Sequence, residues 1–403
     1  MRISTGWLRG GRALNFALAA LVPPALASLI YSLVTAPQGG FDLNLFQRSA
    51  REFVDGSYSI GAGALPLYPP FAAPLFAPLA LLPFRLLVVA WLCVNVAAVF
   101  LTLRFAINLY GVAWPKKVWL LLSAFVLAWA PFRVTLRLGQ LSLIVTALLL
   151  GALLARQNKR RLLSGVLLGL SLWKYSLTLP FLLYFILKKE WKLVGAALMM
   201  PLILTEVFAV RMGISLIDAL RDYVEVILHG QAAGGENWLG TTGTTEIKLL
   251  LSSLTHGNET LAFTFTIALI ILALAVMIVV FSKTPQSELS HFAVLALFAL
   301  WWSYHRVYDS VICVLPAALL IDFIVREVRL RFSWFWLGAL GLLIISLPGL
   351  LTERFHLNAT ELSGNLLGWF GIHSERLMIF ALFWSLLIGA HRWRGQSNSP
   401  AAP

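Results

Sequence analysis

Apolar runs long enough to cross a lipid bilayer recur along this chain and constrain its fold more than any other feature. The first run covers residues 14–35, and a spanning helix needs about 20 mainly apolar residues. Charged residues make up only 12% of the 403 positions, against about 25% in soluble domains. Because lipid cannot hydrogen-bond to an exposed backbone, we predict an all-α polytopic membrane protein.

The predicted architecture has about 12 membrane-embedded helices, two of them short and re-entrant, with interfacial helices in the outer loops. The predicted spans are residues 14–35, 84–108, 117–136, 139–156, 162–174, 176–188, 192–211, 260–282, 288–304, 308–326, 333–352 and 376–392. We predict one integral membrane domain over residues 1–394 and a disordered tail over residues 395–403.

Two basic clusters indicate the re-entrant pair. Residues 156–161 and 188–192 are rich in Lys and Arg, which favours the cytoplasmic side for both. The stretch between them is too short for two full crossings of about 20 residues each. We therefore predict that this stretch enters the membrane and returns, with Lys174 and Pro180 near the bend.

Charge placement also orients the chain. Basic residues precede the first run and mark the other short loops, so both termini are predicted to be cytoplasmic. The net charge of +13 then reflects topology, and no nucleic-acid partner is expected. Three long segments face outward, namely residues 36–83, 212–259 and 353–375. The protein is therefore expected to work on the outer face of a bacterial inner membrane, among membrane lipids.

Asp42 is the main candidate for chemistry. It follows the first span and opens a predicted interfacial helix that ends near Gly56. An alternative is that Asp42 only caps that helix. Tyr68 then begins a stretch rich in proline, which rules out a regular spanning helix. Irregular backbone at membrane depth lies inside protein or beside a wet cavity, so this stretch is predicted to line a cavity near Asp42.

Cationic side chains supply a second group of candidates. Arg137 and Gln140 lie at a predicted outer turn. There an Arg either anchors the helix at the interface or binds a lipid phosphate through its bidentate fork. Lys174 is predicted to be buried, and ionisable groups at membrane depth usually face a polar cavity.

A third group of candidates interrupts two late apolar runs. It comprises Tyr304, His305, Arg306, Tyr308 and Asp309. Because so many polar groups lie together between two spans, these residues are predicted to line a functional site. A metal site at His305 and Asp309 is an alternative, although no metal and no cofactor are required. The sequence contains no P-loop, no dinucleotide-binding turn, no HExxH and no Gly-x-Ser-x-Gly element.

These elements together resemble glycosyltransferase family 87, the polyprenyl-phosphate-mannose-dependent mannosyltransferases of the GT-C superfamily. The resemblance lies in five features: the Asp42 loop, Tyr68-Pro69-Pro70, Gly139-Gln140, Gly165 to Lys174 with Pro180, and Ser303-Tyr304-His305 with Pro316. It implies a GT-C-type fold and transfer of a hexose, mannose by analogy, from a polyprenyl phosphate to a lipid or glycan acceptor at the outer face.

The resemblance also implies roles for single residues. Asp42 would be the general base of an inverting transfer. The donor phosphate would be held by His305, Arg306, Arg137 and Lys174. The substrate pocket would include Tyr68, Gln140, Tyr304, Tyr308 and Asp309.

Two other functions fit the same features. Buried charge and broken helices also occur in transporters, so a flippase for a lipid-linked saccharide is the main alternative. No repeat symmetry is visible and the long loops share one side, which counts against it. A non-catalytic subunit of an envelope-assembly complex is the third reading, and it predicts that Asp42→Asn has almost no effect.

Overall fold

A computed structural model describes residues 6–36, 39–60, 68–110, 114–233, 247–283, 288–303, 305–326, 330–345 and 366–392. Within these ranges every regular element is helical, which confirms the all-α prediction. The predicted tail at residues 395–403 and the Gly/Thr-rich segment at residues 234–245 lie outside the described residues.

The helices are numbered in chain order. The first nine are α1 (Gly6–Thr35), α2 (Phe41–Asp55), α3 (Ala72–Phe76), α4 (Phe84–Tyr110), α5 (Lys116–Ala128), α6 (Ala130–Leu138), α7 (Ser142–Gln157), α8 (Arg161–Ser171) and α9 (Tyr175–Leu187). The others are α10 (Trp191–Met212), α11 (Leu216–Ala233), α12 (Ile247–Leu254), α13 (Glu259–Lys283), α14 (Glu288–Trp301), α15 (Val314–Val325), α16 (Leu330–Leu340), α17 (Leu342–Ile345) and α18 (Leu366–Arg392). The 3₁₀ helices within the described ranges include Ala77–Leu81, Leu172–Lys174 and Val307–Cys313.

Seven helical stretches among the described residues are long and apolar enough to cross a membrane, or eight if α5 and α6 form one interrupted span. The seven are Leu14–Thr35, Phe84–Tyr110, Arg161–Leu187, Trp191–Met212, Glu259–Ser282, Val307–Val325 and Trp369–Ile388. Three shorter apolar helices, including α7 and α14, add to these. The total of about 12 embedded helices stays a prediction.

The stretch from Arg161 to Leu187 forms a hairpin, although its length and composition alone would count it as one span. The guanidinium of Arg156, just before α8, pairs with Glu190, just after α9, with Nη2 and Oε1 2.5 Å apart. At the other end, the Thr178 hydroxyl donates to the Ser171 carbonyl at 3.2 Å. A continuous helix would hold those two residues about 10 Å apart along its axis, so the chain reverses at Leu172–Lys174 as predicted.

Labelling of single cysteines checks the direction of this hairpin. With exposed Cys93 replaced by Ala and buried Cys313 retained, an impermeant maleimide is expected to label Arg160→Cys and Lys188→Cys from the same side of the membrane. The reason is that both positions flank one hairpin. Labelling from opposite sides would show a single crossing, and the parent without either new cysteine gives the background.

Two glycines let α8 lie directly on α10. A Cβ on Gly169 would lie 2.6 Å from the Ala197 carbonyl oxygen, and one on Gly165 would collide with the Leu193 carbonyl. Small residues allow this backbone contact between embedded helices. By contrast, Gly195 of α10 has no atom within 4 Å of such a Cβ.

Replacing Gly169 by Ala is therefore expected to destabilise the protein by about 1–3 kcal/mol, because α8 and α10 must move apart. Gly195→Ala is the matched control, since it adds the same methyl group to open space and removes a helix-weakening glycine, a gain of about 0.5–1 kcal/mol. The melting temperature in detergent reports both variants. Equal shifts for the two would mean that α8 and α10 are not in close backbone contact.

The chain divides into two compact units, which are described separately. The first unit comprises residues 29–105 and 132–241. Within it, the predicted helix after Asp42 is observed as α2, ending at Gly56 with a left-handed φ of 74°. The amide of Gln47 donates to the carbonyls of Leu79 and Leu82 at 3.2 and 2.7 Å. The proline-rich stretch thus forms only short helices, as predicted, and its backbone is held by α2.

The second unit comprises residues 1–28, 106–131 and 242–403. In α14 every residue from Ser290 to Trp301 is buried. The Trp301 ring lies 5.5 Å from that of Phe380 and 5.3 Å from that of Phe383, both on α18. The core of this unit is therefore built on α14 with α18 packed against it.

The predicted start of the last span was wrong. The sequence places an outer segment at residues 353–375 and a span from residue 376, whereas α18 already begins at Leu366. His373, Glu375 and Arg376 interrupt the apolar pattern, yet all three are buried within the helix. The Arg376 guanidinium lies 2.7 Å from Nδ1 of His373. The segment is thus helical, with its polar side chains buried, although its composition is typical of a loop.

Candidate functional site

The start of α2 is fixed by a pair of glycines. Gly40 is the N-cap residue with φ 83°, and its N–H donates to the Arg137 carbonyl at 2.8 Å. A Cβ on Gly39 would collide with the same carbonyl. The chain entering α2 therefore lies against the end of α6, which only a residue without a side chain permits.

Asp42 lies in the first turn of α2 and is half-buried. The cap of α2 is Gly40, so the alternative that Asp42 is the capping residue is wrong. Its Oδ2 accepts a hydrogen bond of 2.5 Å from the Gln140 amide. Oε1 of the same Gln140 accepts from the Leu141 N–H at 3.3 Å. Gln140, only 4% exposed, thus fixes the orientation of the carboxylate.

Gly139 brings Gln140 to this place. It has φ 73°, and its carbonyl accepts a hydrogen bond of 2.8 Å from Nε1 of Trp91. A Cβ here would lie 2.7 Å from Cβ of Leu43, the residue after Asp42. The turn between α6 and α7 therefore touches the backbone of α2 beside the carboxylate.

Lys174 joins the same group through Ser142. Its Nζ donates to the Ser142 hydroxyl at 3.0 Å, and Ser142 begins α7 directly after the Gln140 turn. The Lys174 side chain is half-buried at the tip of the hairpin. The carboxylate and the ammonium are thus placed by one turn, and together they form the anionic and cationic parts of the Asp42 site.

Aromatic rings fill the space behind this site. The ring of Phe46, one turn after Asp42, lies 5.6 Å from that of Tyr68 and 4.8 Å from that of Phe76. Phe76 in turn lies 4.8 Å from Trp173 at the hairpin tip. Tyr68 therefore packs its ring against Phe46 of the Asp42 helix, and its predicted place in a substrate pocket stays a prediction.

Arg137 contributes its backbone to the site rather than a buried side chain. Its carbonyl accepts from Gly40 at 2.8 Å, while its side chain is exposed. An exposed guanidinium at the end of α6 fits both the interface anchor and the phosphate ligand that the sequence allows.

A second constellation belongs to the other unit. His305 is 1% exposed, and its Nδ1 lies 3.0 Å from Oδ2 of Asp309. Nε2 of the same ring is buried and has no hydrogen-bond partner among the described residues. The Asp309 carboxylate thus fixes the orientation of the imidazole ring.

The neighbours of His305 differ in exposure. Tyr308 is buried, whereas the Arg306 side chain is exposed. Tyr304 lies outside the described residues. In the described part of the chain, no group of three or more His, Cys, Asp and Glu side chains is placed to hold a metal ion. Of the five candidates in this stretch, the structure therefore joins His305 with Asp309.

Sequence reasoning missed Ser142 and Trp91. Ser142 follows Gly139-Gln140 closely, so its place at a helix start is the signal that points to it. Trp91 lies in the middle of an apolar run, and nothing in that run distinguishes a ring that donates to the Gly139 carbonyl from one that only packs.

The helical spans, the hairpin and the partly buried ionisable groups define a polytopic membrane protein with a polar site built from carboxylate, amide and ammonium groups. The chain belongs to glycosyltransferase family 87, whose model matches residues 67–303. The predicted family is thereby confirmed. Asp42 and His305 lie outside the matched range.

Two mycobacterial proteins are similar to part of the chain. Both are named polyprenol-phosphate-mannose-dependent alpha-(1-2)-phosphatidylinositol pentamannoside mannosyltransferases. The protein of Mycolicibacterium smegmatis is 36% identical over 104 residues, which are 26% of this chain and 25% of that protein. The protein of Mycobacterium tuberculosis is 34% identical over 109 residues, 26% of this chain and 24% of that protein. The match thus spans about a quarter of each relative, and no solved structure matches.

Proposed function

We propose that this protein transfers a hexose, mannose by analogy with its relatives, from a polyprenyl phosphate to a hydroxyl group of a lipid or glycan acceptor. The observation that carries the proposal is the Asp42 site, where a carboxylate held by Gln140 and an ammonium held by Ser142 flank one turn. A transfer of this kind needs a base for the acceptor and a cation for the departing phosphate.

Asp42 is the general base in this proposal. The acceptor oxygen bonds to the anomeric carbon while the bond from that carbon to the phosphate oxygen breaks. The acceptor proton passes to the Asp42 carboxylate, and the polyprenyl phosphate leaves from the opposite face, so the configuration inverts. The hydrogen bond from Gln140 holds one carboxylate oxygen, which reduces the freedom of the base before the reaction.

The cationic side chains stabilise the charge that develops on the phosphate. Lys174 is the first candidate, since its Nζ is already held by Ser142 at 3.0 Å. His305 is the second, because Asp309 orients its ring through a contact of 3.0 Å with Nδ1. Arg137 and Arg306 present exposed guanidinium groups that suit a phosphate at the membrane surface.

The outer face is the proposed side of action, with both termini in the cytoplasm and the protein in a bacterial inner membrane. The excess of basic residues in the short loops supports this orientation. The hairpin also supports it, since its two basic ends lie together at the Arg156–Glu190 pair.

Sugar transfer in proteoliposomes tests the proposal. Purified protein is supplied with radiolabelled polyprenyl-phosphate mannose, or separately with the glucose donor, and with a membrane lipid extract. Label is expected in a new glycolipid whose anomeric configuration is opposite to that of the donor. Movement of intact donor across the bilayer without any product would replace this proposal by the flippase reading. If the protein gives no product and moves no donor across the bilayer, the non-catalytic subunit function is favoured.

A further inference from the structure

A second polar cluster lies in the same unit as Asp42 and has no part in the chemistry proposed so far. It comprises Glu52 on α2, Tyr58 after α2, Tyr175 at the start of α9 and Tyr223 on α11. Tyr223 is 9% exposed; its side chain is hydrogen-bonded to Tyr175 and within electrostatic reach of Tyr58. The Tyr58 ring meets that of Phe208 edge-on at 5.3 Å. Three separate elements therefore bring their phenol groups together.

One carboxylate accompanies these phenols. Oε1 of Glu52 pairs with Arg48 at 3.0 Å, whereas Oε2 has no hydrogen-bond partner among the described residues although it is shielded from solvent. Burial and the Glu52 carboxylate raise the pKa of Tyr58 to about 12. Burial and the neighbouring tyrosines also raise the pKa of Tyr223. The phenol groups of Tyr58 and Tyr223 therefore stay neutral donors and acceptors throughout the physiological range.

This combination suits neutral hydroxyl groups rather than an anion. Phenol groups both donate and accept, and an ionised carboxylate only accepts. A phosphate would meet the repulsion of Glu52, and the Arg48 guanidinium beside that carboxylate is already paired with it. A sugar offers hydroxyl donors to the carboxylate and an apolar face to the rings, and tyrosine supplies both kinds of contact in one side chain.

The cluster is connected to the Asp42 site, where the acceptor hydroxyl would react. Glu52 is ten residues beyond Asp42 on one helix, about 15 Å along the axis at 1.5 Å per residue. Tyr175 directly follows Lys174, whose ammonium reaches Ser142 beside the Gln140 turn. The cluster is thus linked to the Asp42 site by α2 on one side and by the hairpin tip on the other.

We propose that Glu52, Tyr58, Tyr175 and Tyr223 form a distal carbohydrate subsite that binds an outlying sugar of an oligosaccharide-bearing acceptor while Asp42 activates the hydroxyl at the reacting end. The inference rests on the proposed transferase activity and adds the place where the acceptor is recognised. Tyr58 and Tyr175 are half-buried and contact the sugar. Tyr223 is a positioning residue that acts through Tyr175.

Transfer to acceptors of increasing length tests the subsite. The probes are octyl mono-, di- and trimannosides, supplied with polyprenyl-phosphate mannose to wild type, Tyr58→Phe, Tyr175→Phe, Tyr223→Phe and Glu52→Gln. Wild type is expected to prefer the trimannoside. Each variant should raise KM for the trimannoside about three- to tenfold, the effect of one lost hydrogen bond, with kcat and monomannoside transfer unchanged.

The matched control is Tyr110→Phe, which removes a buried hydroxyl that donates to the Leu289 carbonyl in the other unit. It should keep the wild-type preference. The subsite is wrong if wild type shows no preference for length, if the variants lower transfer to all three acceptors equally, or if only the lipid extract is a substrate. Absence of product with every acceptor would instead contradict the transferase proposal. If Tyr223→Phe fails to fold, Tyr58→Phe and Tyr175→Phe still test whether the subsite binds the outlying sugar.

Discussion

Replacing Asp42 by Asn is expected to lower the rate of hexose transfer by about 10²–10⁴-fold, the usual contribution of a general base. The amide has nearly the same shape and keeps an oxygen that can accept from Gln140, but it cannot take the acceptor proton. The loss should appear in kcat, with donor binding unchanged, because the removed function is needed only in the transition state. Initial rates with radiolabelled donor in proteoliposomes measure it.

Asp55→Asn is the matched control for this variant. Asp55 is the last residue of the same helix and is exposed, so the identical chemical change there should leave transfer at the wild-type rate. Both proteins should melt at the wild-type temperature. An Asp42→Asn protein that keeps more than about a tenth of the activity would exclude Asp42 as the base, given the range expected for that role.

Replacing Gly139 by Ala is expected to cost about 2–5 kcal/mol of stability and most of the activity. A left-handed φ costs a residue with a side chain about 1–2 kcal/mol. Overpacking against Leu43, whose Cβ would be 2.7 Å away, adds about 1–3 kcal/mol. Leu43 adjoins Asp42, and a displacement of about 1 Å at a reacting group can reduce the rate about 10²-fold. Thermal melting and transfer rates measured on one preparation report both effects.

Gly213→Ala separates the two causes. Gly213 also has a left-handed φ, 68°, but no atom lies within 4 Å of its added Cβ. This variant should show only the conformational cost and retain transfer activity. If both variants lose stability and activity equally, the contact between Gly139 and Leu43 has no special role in placing Asp42.

The sequence predicted those features that local chemistry determines. Proline density excluded a spanning helix after Tyr68, and the observed helices there are short. Basic clusters at both ends of residues 162–188 predicted the hairpin, and the Arg156–Glu190 pair agrees. Gly139-Gln140 was among the predicted site elements, and Gln140 donates a hydrogen bond to Asp42. In each case a few neighbouring residues carry the physical cause.

Features that depend on distant packing were not predictable in the same way. The buried polar residues His373 and Arg376 made the start of α18 resemble a loop, because burial by tertiary contact is invisible in a local pattern. The Arg137 side chain was predicted to matter, yet its carbonyl makes the contact with Gly40. Any residue type offers a carbonyl, so composition gives no signal for such a contact. The roles of Asp42, Lys174 and His305 stay predictions for the experiments above.

The glycine contact between α8 and α10 has a consequence for biogenesis. Chains emerge from the ribosome amino end first, so α8 and the rest of the hairpin emerge before α10. Yet Gly165 and Gly169 have their packing partners on α10, and until α10 inserts, this face of α8 lacks those partners. The close packing of α8 on α10 is therefore completed only when the later helix has inserted beside the earlier one.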